Sequence, residues 1–212
     1  MAKPILIIGN SGSGKSHSLQ NLPEKSYALI NVMGKDLPFK TDKKYLTSTN
    51  YADIKQALIN YASKIDLIVI DDAGYLITEQ FMLRANEKGY EKFSALANDF
   101  WQLIRFISLE LPSHVRVYLT MHEDRDENNY VKPKTIGRML DEKLNIAGLF
   151  GIVLNAQKKE GKYIFRTQTD GYDVTKSPEG MFDGEEIAND LKTVDDAIKK
   201  YYNLGGSENA KN

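Results

Sequence analysis

Ile5-Leu6-Ile7-Ile8-Gly9-Asn10-Ser11-Gly12-Ser13-Gly14-Lys15-Ser16 is the stretch on which the reading of this chain turns. Four apolar residues in a row, without polar alternation, fit a strand covered on both faces. The chain then changes character at once, with three glycines in the six residues 9–14. Glycine tolerates the left-handed backbone that lets successive N–H groups converge on one anion. Gly9, Gly14, Lys15 and Ser16 fill every fixed position of the spacing G-x-x-x-x-G-K-[ST]. A helix is expected to follow and to end near Asn21, ahead of Pro23, turning its positive end toward a phosphate. Gly9, Asn10, Ser11, Gly12, Ser13, Gly14, Lys15, Ser16 and His17 therefore form the expected nucleotide-binding segment. Lys15 would reach the β- and γ-phosphates and the Ser16 hydroxyl would ligate Mg²⁺. The His17 ring itself reads as helix surface, and His114 as a loop residue.

A second apolar run, Leu67-Ile68-Val69-Ile70, ends on Asp71-Asp72. Ligands of open α/β sheets sit beyond the carboxyl ends of the strands, so these acids are placed to meet the phosphates. Asp71 is expected to hold Mg²⁺ through water, and Asp72 to polarise an attacking water. The competing reading of Asp72 is a helix cap. A third run, 115–120, leads into Thr120-Met121-His122. His122 is the expected sensor of the γ-phosphate, with Thr120 second. ATP and Mg²⁺ are the expected ligands, and Lys15, Asp72 and His122 the expected catalytic set.

Outward from these motifs, residues 27–32 read as a strand and 33–50 as a long polar connection. Residues 51–62 carry helical spacing, Gly74 reads as a turn, and 91–111 as a long helix closed by Pro112. Residues 122–135 read as a polar loop. Residues 152–154 and 163–167 flank a hairpin at Lys158-Lys159-Glu160-Gly161. Ile187, Leu191, Val194, Ile198 and Tyr201 recur at helical spacing, so 184–202 reads as an amphipathic helix packed on the core. The expected organisation is a P-loop domain over 1–182, a C-terminal helix over 183–204 and a disordered tail over 205–212. The alternation of strands and helices predicts a three-layer α/β fold with a mainly parallel sheet and an antiparallel edge.

Composition narrows the functional classes. The 212 residues carry 28 Lys+Arg against 29 Asp+Glu, a net charge of −1, which argues against a globally cationic nucleic-acid binder. No cysteine is present, so disulfides, thiolate zinc sites and cysteine nucleophiles are excluded. The longest mostly apolar run, 146–154, has nine residues including two glycines, far below the roughly 18 needed to span a bilayer. Residues 5–8 are too short an apolar run for a secretory signal, so a cytoplasmic protein without membrane contact is expected. Locally, residues 132–176 hold nine basic and five acidic residues, a polarity suited to phosphate contact. Tyr130, Tyr163 and Tyr172 are candidates for stacking on bases. A guanine-reading Asn/Thr-Lys-x-Asp motif is absent; Asn155-Ala156-Gln157-Lys158 has the wrong order. A calcium loop at 124–135 fails at Asn129 and Thr135. A small-molecule kinase stays open, with 122–140 as a lid and Arg125 and Arg138 as phosphate clamps. Too little chain follows Pro178 for the helical lid of a complete AAA+ module.

Several longer segments carry a resemblance. Ile30-Asn31-Val32-Met33-Gly34-Lys35-Asp36-Leu37-Pro38-Phe39, Phe81-Met82-Leu83-Arg84-Ala85, Lys134-Thr135-Ile136-Gly137-Arg138-Met139-Leu140-Asp141 and Lys176-Ser177-Pro178-Glu179-Gly180-Met181-Phe182 look like segments of a phage-encoded family of small P-loop ATPases. Together with the Walker motifs the likeness spans residues 4–182, and the order of motifs resembles the RecA-like ATPase core. The resemblance implies an ATPase linked to single-strand annealing and recombination or replication, acting on single-stranded DNA in the cytosol of a bacterial host. It implies DNA-facing loops at 73–92 and 123–143 and a homo-oligomer, ring or filament. It also implies a basic residue lent to the site by a neighbouring subunit, for which Lys176, Arg166 and Arg138 are the candidates. Two departures stand out: the second strand ends in Asn31-Val32-Met33-Gly34, without the usual catalytic acid, and His122 replaces the usual sensor amide. A nucleotide-gated binding protein with little turnover therefore remains a distinct reading.

Overall fold

The computed structural model of the chain describes residues 1–204, apart from the side chains of Arg138 and Met139. The expected tail at 205–212 and the Arg138 side chain lie outside the described residues. Strands β1 (Lys3–Gly9), β2 (Tyr27–Asn31), β3 (Leu67–Asp71), β4 (Arg116–Arg125), β5 (Val131–Pro133), β6 (Ile152–Lys159), β7 (Lys162–Arg166) and β8 (Glu186–Ala188) form a mixed, mostly parallel eight-stranded sheet. Seven of them lie in the order β2-β3-β4-β1-β6-β7-β8, and β5 pairs with the far end of β4. β2, β3, β4, β1 and β6 pair in parallel; β7 and β8 extend the sheet antiparallel.

Helices α1 (Tyr51–Ala62), α2 (Gly74–Leu83) and α3 (Glu91–Glu110), with the single turn α4 (Arg138–Asp141), are followed in sequence by a C-terminal α5 (Leu191–Tyr202). Strand alternation divides the core. On one side Leu6, Ile8, Ile68, Ile70, Val117 and Leu119 pack with Ile54, Leu58, Leu76, Phe100 and Ile104 of α1–α3. On the other, Ile5, Ile7, Val69, Tyr118 and Leu154 pack with Leu19 and with Leu191, Val194 and Ile198 of α5. Because both faces are covered, every residue of β2 and β3 is buried, which is why these strands read as unbroken apolar runs. Helix starts are set by side chains: Asn50 Oδ1 accepts the Ala52 N–H at 2.7 Å, and Asp190 Oδ1 accepts the Lys192 N–H at 2.8 Å.

Four elements differ from the sequence reading. The helix after the glycine loop is one 3₁₀ turn, Ser16–Leu19, closed by the Gln20 N–H donating to the His17 carbonyl at 3.0 Å. Gly74 opens helix α2 instead of making a turn, so most of the expected 73–92 loop is helical. The expected 122–135 loop is largely a hairpin, since β4 runs on to Arg125 and returns as β5; Asn129 takes the positive φ of 61° at its turn. Its residues 124–129 are exposed, so no apolar alternation marked it. In the tail, Ile187 lies on β8 opposite Phe165, and the helix begins only at Leu191.

α5 is fastened to β4 by a buried polar contact. Arg116 Nε and Nη2 donate to Asp195 Oδ1 and Oδ2 at 2.8 and 3.0 Å, and Tyr118 Oη donates to Oδ1 at 2.9 Å. The Arg116 and Asp195 side chains are 4% and 5% exposed, so removing one leaves the other without water to solvate it. Asp195→Ala is expected to destabilise the chain by about 3–5 kcal/mol, read as a lower midpoint in urea unfolding, with Asp195→Asn falling between the variant and wild type.

Candidate functional site

β1 delivers the glycine loop to the carboxyl edge of the sheet, between β4 and β6. Gly12 and Gly14 have φ of 75° and 100°, backbone that only glycine adopts freely. Gly14 is needed a second time: a Cβ there would lie 2.8 Å from Tyr163 Cδ1. A Cβ at Gly9 would lie 2.6 Å from the Ala156 carbonyl oxygen, so the loop is seated directly on β6. Lys15 is folded into the loop, its Nζ donating to the Gly9 and Asn10 carbonyls at 2.7 and 2.8 Å. Burial pushes its pKa below the ordinary lysine value, while the charges of Asp72, Asp71 and Glu123 pull it back.

The two acids at the end of β3 have different surroundings. Asp71 is buried, and its Oδ2 accepts the Ser16 hydroxyl at 2.7 Å while Oδ1 accepts the Thr120 hydroxyl at 2.6 Å. Burial raises its pKa, and the two hydroxyl bonds work in the opposite direction. Asp72 takes a φ of 59°, in the left-handed region, and its N–H donates to Thr120 Oγ1 at 2.8 Å. Its carboxylate lines the cleft, 2.8 Å from Lys35 Nζ and 3.7 Å from His122 Nε2. Helix α2 has no side-chain cap hydrogen bond, so no bond supports the capping reading of Asp72.

His122 stands opposite Gly9 in the β1–β4 register. Its ring meets Tyr75 edge-on at 5.9 Å, and burial, then the Lys15 charge, lowers its pKa. Thr120 binds Asp71 and the Asp72 N–H instead of facing the cleft, so it organises the acids. Around these groups lies a cleft of about 940 Å³ that also includes Ser11, Gly12, His17 and Tyr163. His17 is part of that wall, with its ring centroid 4.7 Å from that of Tyr163. Ser13 is buried beneath the loop.

Three site residues escaped the sequence reading. Lys35 sat in the quoted 30–39 segment without a role. Tyr75 was hidden by the turn assigned to Gly74. Glu123 follows His122 on the part of β4 read as loop; it accepts from Asn10 Nδ2 at 2.6 Å and Asn155 Nδ2 at 3.2 Å, and burial raises its pKa. Arg166 pairs with Asp170 and Asp173 at 3.1 and 3.2 Å, and Lys176 bridges Val153 through its backbone; neither lines the cleft. His114 lies at the surface, 3.6 Å from Asp66.

Among the described residues no group of three or more His, Cys, Asp or Glu could hold a metal ion by itself. Ser16 Oγ and Asp71 nonetheless present two adjacent oxygens, a donor set that fits Mg²⁺, which keeps several waters and takes phosphate oxygens as further ligands. The chain matches no family model and no curated protein. Among the described residues no helix is long and apolar enough to cross a membrane.

The raised Asp71 pKa has a consequence for stability. A carboxyl group whose folded pKa is raised lowers stability as pH rises through its titration, because the folded state then holds more protons than the unfolded one. Asp71→Asn removes the buried charge and keeps partners for both hydroxyls. It is expected to raise the Tm at neutral pH by about 2–4 °C, the size of ~1 kcal/mol in a chain of this length, with the gain shrinking toward acid pH. Calorimetry across pH measures both.

Proposed function

We propose that the chain is a P-loop ATPase with a RecA-like core that binds Mg-ATP and acts on DNA. The observation that carries the nucleotide reading is the 2.7 Å hydrogen bond from Ser16, on the glycine loop, to Asp71, at the end of β3. Two motifs 55 residues apart in sequence thereby meet at one point. The placement of β4 between β1 and β3 supports the RecA-like reading, with a sensor strand between the strands bearing the two Walker motifs.

In this mechanism the loop N–H groups and Lys15 hold the phosphates. Ser16 and Asp71 would hold Mg²⁺, which supplies neutralisation of phosphate charge. Asp72 faces the cleft and accepts a proton from the attacking water, and His122 stands beside it to register the terminal phosphate. Tyr163, packed over Gly14, walls the cleft where the loop leads into His17.

Action on single-stranded DNA, in recombination or replication in a phage-infected cytosol, rests on the resemblance and on surface features that suit it. The β4–β5 hairpin projects from the strand that bears His122. Lys134, Lys143, Lys158 and Lys162 are exposed, and Tyr172 is 68% exposed. Lys132 and Lys159 instead pair with Asp141 and Glu186. A ring or filament of several copies belongs to the same proposal.

A specific observation favours the alternative of a nucleotide-gated binder with little turnover. Asp72 is ion-paired to Lys35, and the end of β2 offers Asn31, whose Nδ2 donates to the Lys35 carbonyl at 2.6 Å, in place of a second acid.

Lys15→Ala is expected to abolish ATP binding, by isothermal titration, without changing the fold. Wild-type turnover is expected to rise with single-stranded DNA at low salt and to lose that stimulation at high salt, as screened phosphate contacts require; flat, very low turnover in both conditions selects the gated binder. Asp72→Asn should keep ATP affinity and lose about 100-fold or more in turnover if its carboxylate takes the proton.

A further inference from the structure

We infer that Lys35 is the cation that binds the terminal phosphate of the triphosphate, supplied by the same chain, and that the nucleotide releases Asp72 by drawing Lys35 away from it. The inference rests on the ATP-binding reading above and assigns a role that no neighbouring subunit then has to fill.

The geometry sets Lys35 apart from the other cations. Its Nζ is 2.8 Å from Asp72 Oδ2 and 4.5 Å from the Tyr75 ring centroid, on the wall of the cleft that holds Lys15. Its charge is felt at the site's centre, since it helps to lower the pKa of both Lys15 and His122. Arg166 is held by two aspartates away from the cleft. Lys134 reaches the cleft wall, but among the described residues it makes no bond to Asp71 or Asp72.

The segment fixes the base of Lys35 and leaves its side chain about half exposed. Asn31 Nδ2 holds the Lys35 carbonyl, the Gly34 N–H donates to the Asn31 carbonyl at 3.1 Å, and Gly34 turns with a φ of 63°. A Cβ at Gly34 would lie 3.1 Å from Thr47 Cγ2, so the turn passes close against Thr47. The Lys35 side chain is 53% exposed, whereas Asp72 is 12% exposed. The ammonium can therefore swing with little rearrangement while the carboxylate stays in place. The Tyr75 face stabilises the cation as it moves.

The exchange has a clear direction. A terminal phosphate carries more negative charge than one carboxylate and offers three oxygens, so it competes successfully for the ammonium. ADP lacks that group and leaves Lys35 on Asp72. Once released, Asp72 takes the proton of the attacking water as the water oxygen bonds to the γ-phosphorus. The bond from that phosphorus to the β–γ bridging oxygen breaks, and ADP departs with the electron pair. Water activation is thus coupled to the presence of a γ-phosphate within a single chain.

The test titrates full-length protein with Mg²⁺ and either ADP or a non-hydrolysable ATP analogue. Lys35→Met keeps the aliphatic stem over Tyr75 and removes the charge. Wild type is expected to prefer the triphosphate, and Lys35→Met to lose about tenfold or more of that preference while its ADP affinity stays within about twofold. An unchanged ratio of triphosphate to ADP affinity in Lys35→Met overturns the inference. The double variant Lys35→Met/Asp72→Asn should also lack the preference; its recovery there would mean that Lys35 only neutralises Asp72, and the inference falls. Mixing Lys35→Met with Lys15→Ala should not restore turnover, and restoration would place the lysine's action between subunits. Wild type that binds neither nucleotide would overturn the P-loop reading itself, an outcome distinct from all of these.

Discussion

A single buried carboxylate ties the site together. Asp71 is reached by hydroxyls from two other segments, Ser16 after β1 and Thr120 on β4, and both bonds, at 2.7 and 2.6 Å, tie the three segments together. Burying a carboxylate is unfavourable unless it is hydrogen-bonded, so the sheet order that brings these hydroxyls in is itself constrained. β4 must lie beside β3 for Thr120 to reach Asp71, and β1 must lie beside β4 for the glycine loop to follow. Thr120 then performs a second task by accepting the Asp72 N–H, which holds the left-handed turn that puts the Asp72 carboxylate in the cleft. Left-handed backbone is costly for a residue with a Cβ, and here one hydroxyl helps to maintain it.

The rest of the fold keeps those strand ends in register. α1–α3 cover one face and α5 the other, so the central strands are clamped between two apolar clusters. The clamp is specific as well as apolar on the α5 side. Asp195 accepts three hydrogen bonds from two β4 residues, Arg116 and Tyr118, at the end of the strand opposite to His122. β4 is thereby anchored at its start by the C-terminal helix and completes the site near its far end. Past His122 the same strand continues to Arg125 and pairs antiparallel with β5.

Much of this was legible in the amino-acid order, for reasons that differ by element. The central strands are buried on both faces, so their runs of Ile, Leu and Val announce themselves without any knowledge of neighbours. The glycine loop is legible because its backbone conformation restricts residue type locally: Gly12 and Gly14 occupy positive φ. What could not be read depends on register and distance. Lys35 and Asp72 are 37 positions apart, and nothing between them signals that the long connection folds back over the acid. Glu123 belongs to the site only because β1 and β4 align Gly9 with His122. The hairpin at the end of β4 is exposed, so its strands lack the apolar alternation that marks a strand in sequence. The helix at 74–83 is masked in sequence by a glycine at its first position, and the segment after the glycine loop forms one 3₁₀ turn in place of a longer helix.

On the proposed Mg-ATP reading, the charge balance of the cleft gives a physical reason for the nucleotide to bind together with a cation. Asp72 and Glu123 line it and Asp71 lies just beneath, while Lys15 and Lys35 are its bonded cations and Lys134 also reaches its wall. Lys15 is engaged by carbonyls of its own loop and Lys35 by Asp72, so neither is idle positive charge awaiting an anion. A bare polyphosphate approaching this wall meets three carboxylates in a partly buried setting, where charge repulsion is poorly screened. Under that proposal three changes would relieve it: a divalent cation taken up beside Asp71 and Ser16, Lys15 turning from loop carbonyls to phosphate, and Lys35 leaving Asp72. The first two serve any nucleotide that carries a β-phosphate. Only the third would distinguish a triphosphate, and it would also uncover the carboxylate proposed to take a proton from water.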